Sequence, residues 1–232
     1  MTFVVAQIGV NWDGDFELVK KMISNAKKAG CNAVKFQSFN ENIVRDSLEK
    51  KRLLKSSITE NNIHQIDEIA KTVGIEWFST PMYPDAVDIL DPYVKRFKLR
   101  FHDGVSLLEN KTTELFEKII ATKKEIIISS QTSPLNSKFY DHEQIKWLYV
   151  IPKYPCELED VDFTRIKEFD GYSNHSPNIL VPLAAAILGS NIIEIHVTSD
   201  KKGDFLDNPV SFDFDELKSL VEQIRQVEIL SI

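Results

Sequence analysis

Short apolar runs recur along the chain, and most are separated by segments whose apolar residues return at helical spacing. Phe3–Ile8 reads as a first strand, followed by a loop with turn residues, Gly9 to Gly14. Phe16, Val19, Met22, Ile23 and Ala26 then mark a helix over Phe16–Ala29 that Gly30 ends. Ala33–Phe36 is a second strand, the polar Asn40–Ser57 segment a long and partly helical loop, and Ile63–Val73 a helix closed by Gly74. Ile75–Phe78 and Val94–Leu99 are the third and fourth strands, with a short helix over Asp85–Leu90 between them and a longer one over Leu107–Ala121 after them. Glu125–Ser129 is a fifth strand, nearly all apolar, as in a sheet buried on both faces. The alternation then falters: Ser130–Glu143 is polar, contains Pro134 and lacks an apolar period, so the fifth helix is expected to be reduced or missing. Ile145–Ile151, a short helix over Phe163–Phe169, Gly171–Ser173, a helical Pro177–Leu188, Ile192–Ile195 and Phe214–Val227 complete the series.

Eight strands, mostly separated by helices, predict an α/β chain folded as one (β/α)8 TIM barrel over residues 1–232, with no linker or internal repeat. The stretch Gly171–Thr198 is a βαβ unit, whose two strands must run parallel because the helix carries the chain back to the same end. His175 and His196 each follow one of these strands, on the rim where ligands bind in parallel α/β folds. Spacing alone also allows two independent histidines, one satisfied by a backbone carbonyl and one exposed.

The charge balance narrows the function classes. A net charge of −7 with no basic stripe argues against nucleic acid as a partner. An anionic substrate then requires lysines gathered locally against the overall field. Two cysteines, Cys31 and Cys156, form neither a metal motif nor a disulfide framework and suit a reducing compartment. The opening MTFVVAQIGV lacks a basic start and is too short for a signal peptide or a membrane span, so a cytoplasmic protein without membrane contact is expected.

Barrel chemistry is built at the C-terminal ends of the strands. The polar residues there are Gln7, Lys35 with Gln37, Ser79 with Thr80, Lys98, Ser129 with Ser130, Tyr154, Ser173 with His175, and His196 with Thr198. A lysine inside an apolar strand is costly without a partner, so Lys35 and Lys98 should face either a bound anion or an interior carboxylate. With the hydroxyls around them they make a plausible phosphate cradle.

The segments AQIGVNWDG, KKAGCNAVKFQSF, WFSTP, FKLR, IIISS, KYP, GYSNHS, IIEIHVT and FLDNPVS run in one order over nearly the whole chain. In this combination the chain resembles the catalytic barrel of the N-acetylneuraminate (sialic acid) synthase family, which includes legionaminic and pseudaminic acid synthases. The resemblance implies condensation of phosphoenolpyruvate with an N-acetylated aldose, N-acetylmannosamine-like, to a nine-carbon 2-keto acid and phosphate. It implies that His175 and His196 hold a divalent metal, Mn²⁺ in the family. Lys35, Thr80, Lys98, Ser129 and Ser173 fall on phosphoenolpyruvate-binding positions. Tyr154, Asp207 and the first-strand position Gln7 fall on the sugar side, and His175, His196, Lys98 and Asp207 form the expected catalytic set.

Departures from the family pattern cluster at the sugar end. Gln7 stands where the family usually has Glu, and an amide is neither base nor anion. Phe101, His102 and Asp103 follow the Lys98 segment where a small hydroxyl and an acid are usual, leaving Asp103 as the one likeness. Ser130-Gln131 replaces Thr-Gly, and Pro152 replaces an Asn. The sequence stops soon after its eighth helix, so the family's C-terminal antifreeze-protein-like domain, which covers the sugar site of a partner subunit, is expected to be absent. Closure of the mouth is then expected from a homodimer, another chain or the Asn40–Ser57 loop. A catalytically impaired metal- and anion-binding barrel, acting as a binding or regulatory subunit, is the alternative these departures raise.

Overall fold

A computed structural model describes residues 1–230. Eight parallel strands close on themselves in chain order: β1 Phe3–Gln7, β2 Ala33–Ser38, β3 Glu76–Pro81, β4 Arg96–Leu99, β5 Glu125–Ser130, β6 Ile145–Val150, β7 Gly171–Asn174 and β8 Ile192–His196. β8 pairs with β1, so no edge is left unpaired. The helices are α1 Phe16–Lys28, α2 Lys50–Ser56, α3 Ile63–Val73, α4 Pro84–Leu90, α5 Phe101–Leu108, α6 Glu114–Ala121, α7 Leu180–Ile187 and α8 Phe214–Val227. The expected TIM barrel is what the chain forms.

Side chains alternate along each strand, so each strand serves two layers. Val4, Ala6, Val34, Phe36, Phe97, Ile126, Ile128 and Ile193 are fully buried in the core that the surrounding helices cover. At the N-terminal end Arg96 closes the barrel floor, paired with Glu76 at 2.6 Å and Glu125 at 2.5 Å, its guanidinium 4.3 Å from the Phe3 ring centroid. Gly171 is required where β7 meets β8: a Cβ there would stand 2.1 Å from the Ile192 carbonyl oxygen.

Two sequence expectations need correction. The helix expected over Leu107–Ala121 is two helices, α5 and α6. The break falls at Asn110, which takes a φ of 61° that a helix does not allow, and Thr113 caps α6 by accepting from Phe116 N–H at 3.2 Å. The helix expected over Phe163–Phe169 is only a 3₁₀ turn, Ile166–Glu168. Here Phe163, Phe169, Tyr149 and Tyr172 cover the barrel instead, with Phe163–Tyr172 and Tyr149–Phe169 ring centroids 5.1 Å apart. Aromatic bulk does the covering that a helix face does elsewhere.

The fifth helix is missing, as expected: no helix connects β5 to β6 among the described residues. The connection is nevertheless fastened. Ser137 donates its hydroxyl to the Leu107 carbonyl at 2.7 Å, and Phe139, 8% exposed, packs edge-to-face on Phe116 at 5.1 Å. Phe139→Ala should therefore cost about 3 kcal/mol or more in urea denaturation with an unchanged slope. Leu135→Ala, in the same connection but 50% exposed, should stay within about 0.5 kcal/mol.

Candidate active site

The C-terminal ends of the strands surround a cavity of about 280 Å³. Alternation sends every second side chain inward. The apolar strands thus deliver Lys35, Thr80, Lys98, Ser129, Ser173 and His196 to its wall, with Gln7 from β1 and His175 from just past β7. These eight expected site residues are brought together. Ser130, one step off that phase, turns outward and donates its hydroxyl to the Thr132 carbonyl at 2.6 Å.

On the floor, Lys35 Nζ donates to Glu194 Oε1 at 2.7 Å, Ser173 Oγ donates to the same oxygen at 3.0 Å, and Lys98 Nζ stands 3.9 Å from it. Lys98 also donates to Ser129 Oγ at 2.5 Å. The carboxylate partner that an interior lysine requires is therefore present for Lys35. Burial works against the Glu194 charge, but Lys35 and Lys98 outweigh it and hold the carboxyl at about 2. Burial pulls Lys98 down to about 7, with Glu194 opposing and Lys35 adding to the fall. Two ammonium groups against one carboxylate leave the floor cationic when Lys98 is protonated, despite the net charge of −7 on the chain. Sequence reasoning missed Glu194 as a site residue. The signal was available: it is the one acid in IIEIH, two residues before His196 and so on the same strand face.

Above this floor sit the two imidazoles, ring centroids 5.4 Å apart. His175 Nδ1 lies 3.2 Å from the Ile151 carbonyl and His196 Nδ1 3.2 Å from the Asn174 carbonyl. A carbonyl only accepts, so each Nδ1 carries the proton and each Nε2 keeps its lone pair. Burial lowers His175 to about 3 and lowers His196 as well, so both rings are neutral near pH 7. This is the tautomer and the fixed orientation a metal-binding histidine needs. No group of three His, Cys, Asp or Glu side chains is placed to hold a metal among the described residues. The donor set is thus two neutral imidazoles with room for other ligands.

Tyr154 lines the rim of the cavity, and Asp207, outside that lining, is its partner. The Tyr154 hydroxyl donates to Asp207 Oδ1 at 2.5 Å, and its ring packs 5.0 Å from His175 and 5.8 Å from His196. Desolvation and the Asp207 carboxylate both push the Tyr154 phenol up, so it stays protonated. Buried Asn11 sets the position of Asp207: its Oδ1 accepts from the Asp207 N–H at 3.0 Å while Nδ2 donates to the Val197 carbonyl at 3.0 Å.

Across the cavity the wall beyond β4 consists of Arg100, Phe101 and His102, with Pro152 beyond β6. Asp103 does not line the cavity. It is turned onto Arg100, which donates to it at 2.5 and 3.3 Å, so the expected likeness to the family's acid is spent on holding a guanidinium. Arg100 was not foreseen as a site residue, although it continues the inward alternation of Arg96 and Lys98 one step past β4.

The sequence matches the NeuB family over residues 22–231. It is 34% identical to an uncharacterized protein of Methanocaldococcus jannaschii, over 98% of this chain and 71% of that protein. It is 32% identical to the pseudaminic acid synthase of Campylobacter jejuni, over 97% of this chain and 74% of the synthase. The fold superposes on the crystal structure of the N-acetylneuraminic acid (sialic acid) synthetase of Leptospira borgpetersenii with a TM-score of 0.86 and 26% identity, covering 100% of this chain and 85% of that one. Fold, ordered motifs and relatives agree: the chain belongs to the NeuB family, the sialic acid synthase family of enzymes.

Proposed function

We propose that this barrel condenses phosphoenolpyruvate with an N-acetylated, N-acetylmannosamine-like aldose to give a sialic-acid-like nonulosonic acid and phosphate, with Mn²⁺ held by His175 and His196. The observation that carries the reading is the stacking of two neutral, oriented imidazoles above a floor of two lysines and one carboxylate. Such a floor suits a small anion, and such imidazoles suit a cation beside it. In the reaction the enol carbon bonds to the aldehyde carbon, water adds to the second carbon of the pyruvyl unit, and the bond from that carbon to the bridging phosphate oxygen breaks. The water oxygen stays as the ketone oxygen, one of its protons ends on the former aldehyde oxygen and the other on the leaving phosphate.

The chain's own residues divide this work by depth. Lys35, Lys98, Ser129, Ser173 and Thr80 take the phosphate and carboxylate of phosphoenolpyruvate. Lys98 stabilises the charge that builds on the leaving phosphate and, with its proton held at about 7, has a proton to give it. Tyr154, Asp207 and Gln7 face the acceptor sugar. A bound Mn²⁺ would supply Lewis-acid polarisation of the aldehyde oxygen. Gln7 and Pro152 favour a second reading, a barrel that binds metal and anion but turns over poorly. Phosphate release from phosphoenolpyruvate and Mn²⁺ with a panel of N-acetylated hexoses decides between them.

Lys98→Ala should weaken phosphoenolpyruvate binding about tenfold or more in calorimetry, as loss of a charge-assisted contact requires. Sulfate keeps its charge across the range and isolates the lysine. Its affinity should be highest below pH 7 and fall as pH rises through about 7, where Lys98 loses its proton. At pH 8 its binding should draw in protons, and Lys98→Ala should flatten both effects. The double variant His175→Ala/His196→Ala should bind no Mn²⁺ while retaining sulfate; unchanged metal affinity would refute the metal assignment.

A further inference from the structure

We propose that Gln7 supplies, through its side-chain oxygen, a third protein donor to the divalent cation beside His175 and His196. This rests on the metal-dependent reading above and extends it to a residue in which the chain departs from its family's pattern.

Strand register sets the first part of the argument. Gln7 on β1 lies opposite His196 on β8, and Asn174 on β7 lies opposite Ile195. His175, one residue past Asn174, is therefore level with His196. Gln7, His196 and His175 occupy one layer on three neighbouring segments of the barrel rim, and all three line the same cavity.

The second part is an unpaired atom. Gln7 is 1% exposed, and its Oε1 is buried without a hydrogen-bond donor among the described residues. A buried amide oxygen without a partner is uncommon and points to a ligand. The orientation of the amide has its own support. Gly9 takes a φ of 55°, and a Cβ built on it would stand 2.8 Å from Gln7 Nε2 and 3.2 Å from Asp207 Oδ2. The nitrogen end therefore lies on the side of the Asp207 carboxylate, where an N–H belongs. Reversing the amide would bring an acceptor towards that carboxylate.

The other unpaired buried oxygen in the cavity, Glu194 Oε2, is a poorer candidate for a cation. Glu194 is opposite Val5 and Ser173, a layer deeper, and its neighbours are the ammonium groups of Lys35 and Lys98, which repel a metal. At the level of Gln7 the neighbours are the His196 imidazole on β8 and Lys35 on β2, whose ammonium is turned down onto Glu194. An amide oxygen is a hard, neutral donor that suits Mn²⁺ alongside imidazole nitrogen. A donor set of two imidazoles and one amide leaves the full charge of the cation to act on its remaining ligands.

The test is titration of Mn²⁺ into the full chain, with free Mn²⁺ counted by electron paramagnetic resonance and folding checked by circular dichroism. Gln7→Leu should lower Mn²⁺ affinity about tenfold or more, and Gln7→Glu, which puts a carboxylate at the same place, should raise it by a similar factor. If Gln7→Leu does not fold, Gln7→Glu decides, and unchanged affinity there overturns the proposal. Wild-type Mn²⁺ affinity in a folded Gln7→Leu also overturns it, and would leave Oε1 to accept from a sugar hydroxyl instead. Absence of Mn²⁺ binding by the wild type removes the metal reading and this inference together. Binding that is lost in the double histidine variant but indifferent to Gln7 removes the inference alone.

Discussion

Burial of charge inside the barrel is the constraint around which this molecule is arranged. Lys35, Lys98 and Glu194 are each less than 5% exposed, on three strands that close only because all eight pair in one register. A lone ammonium at that depth would cost several kcal/mol, and the Lys35–Glu194 contact at 2.7 Å offsets that cost for one lysine only. The second lysine is left with a hydroxyl partner, Ser129, and a carboxylate at 3.9 Å. Its depressed proton affinity is the trace of that imbalance. A structural ion pair needs equal charges; the one cation in excess on this floor is what the proposed anion site rests on.

The same register separates two kinds of chemistry by depth. Two residues along β8 divide Glu194, between Lys35 and Lys98, from His196, which packs against His175 and Tyr154. That step along one strand leads from the two ammonium groups toward the Asp207 carboxylate, so the proposed anion and cation sites lie side by side. The outer layer pays nothing for this, because the alternating residues Ile193 and Ile195 remain apolar and pack against the helices.

How much of this was legible in the sequence follows from where information is local. Strand cores and the helices over Phe16–Lys28, Ile63–Val73 and Phe214–Val227 were readable because apolar period is a local property. The missing fifth helix was readable for the same reason. What escaped depended on single residues acting across the fold: Asn110 at positive φ splitting one expected helix, and Phe163 and Phe169 packing as rings where a helix face was expected. At the site, inward-facing residues on strands were found by phase. Glu194 was passed over although its phase was right, since a carboxylate inside an apolar strand reads as a partner for lysine before it reads as part of a site. Arg100 was passed over although it keeps the phase of Lys98, and the turning of Asp103 onto it lies in the following helix, where only the fold can say which way that side chain points.

The mouth of the barrel shows why the two ends of the site differ. On the β1, β2 and β8 side the loops are clasped: Arg52 on α2 donates to Asp13 at 2.6 and 2.8 Å and to the carbonyl of Asp204. Beneath that clasp Val10, Phe39 and Val44 form a small second core with Leu53, Leu54, Met82 and Leu206. The Asn40–Ser57 segment is thus a docked wall, and Leu206 carries its anchorage to the neighbouring Asp207. On the β4 side the wall is made of side chains, Arg100, Phe101 and His102, with Arg100 fastened by Asp103 within one helical turn. The clasped side holds Asp207 and, through its hydrogen bond, Tyr154, whereas the histidines are held by the carbonyls of Ile151 and Asn174. The side-chain wall can change by substitution without disturbing the barrel. Departure from the family pattern at Phe101, His102 and Pro152 therefore falls on the cavity wall and leaves the lysine–carboxylate floor intact.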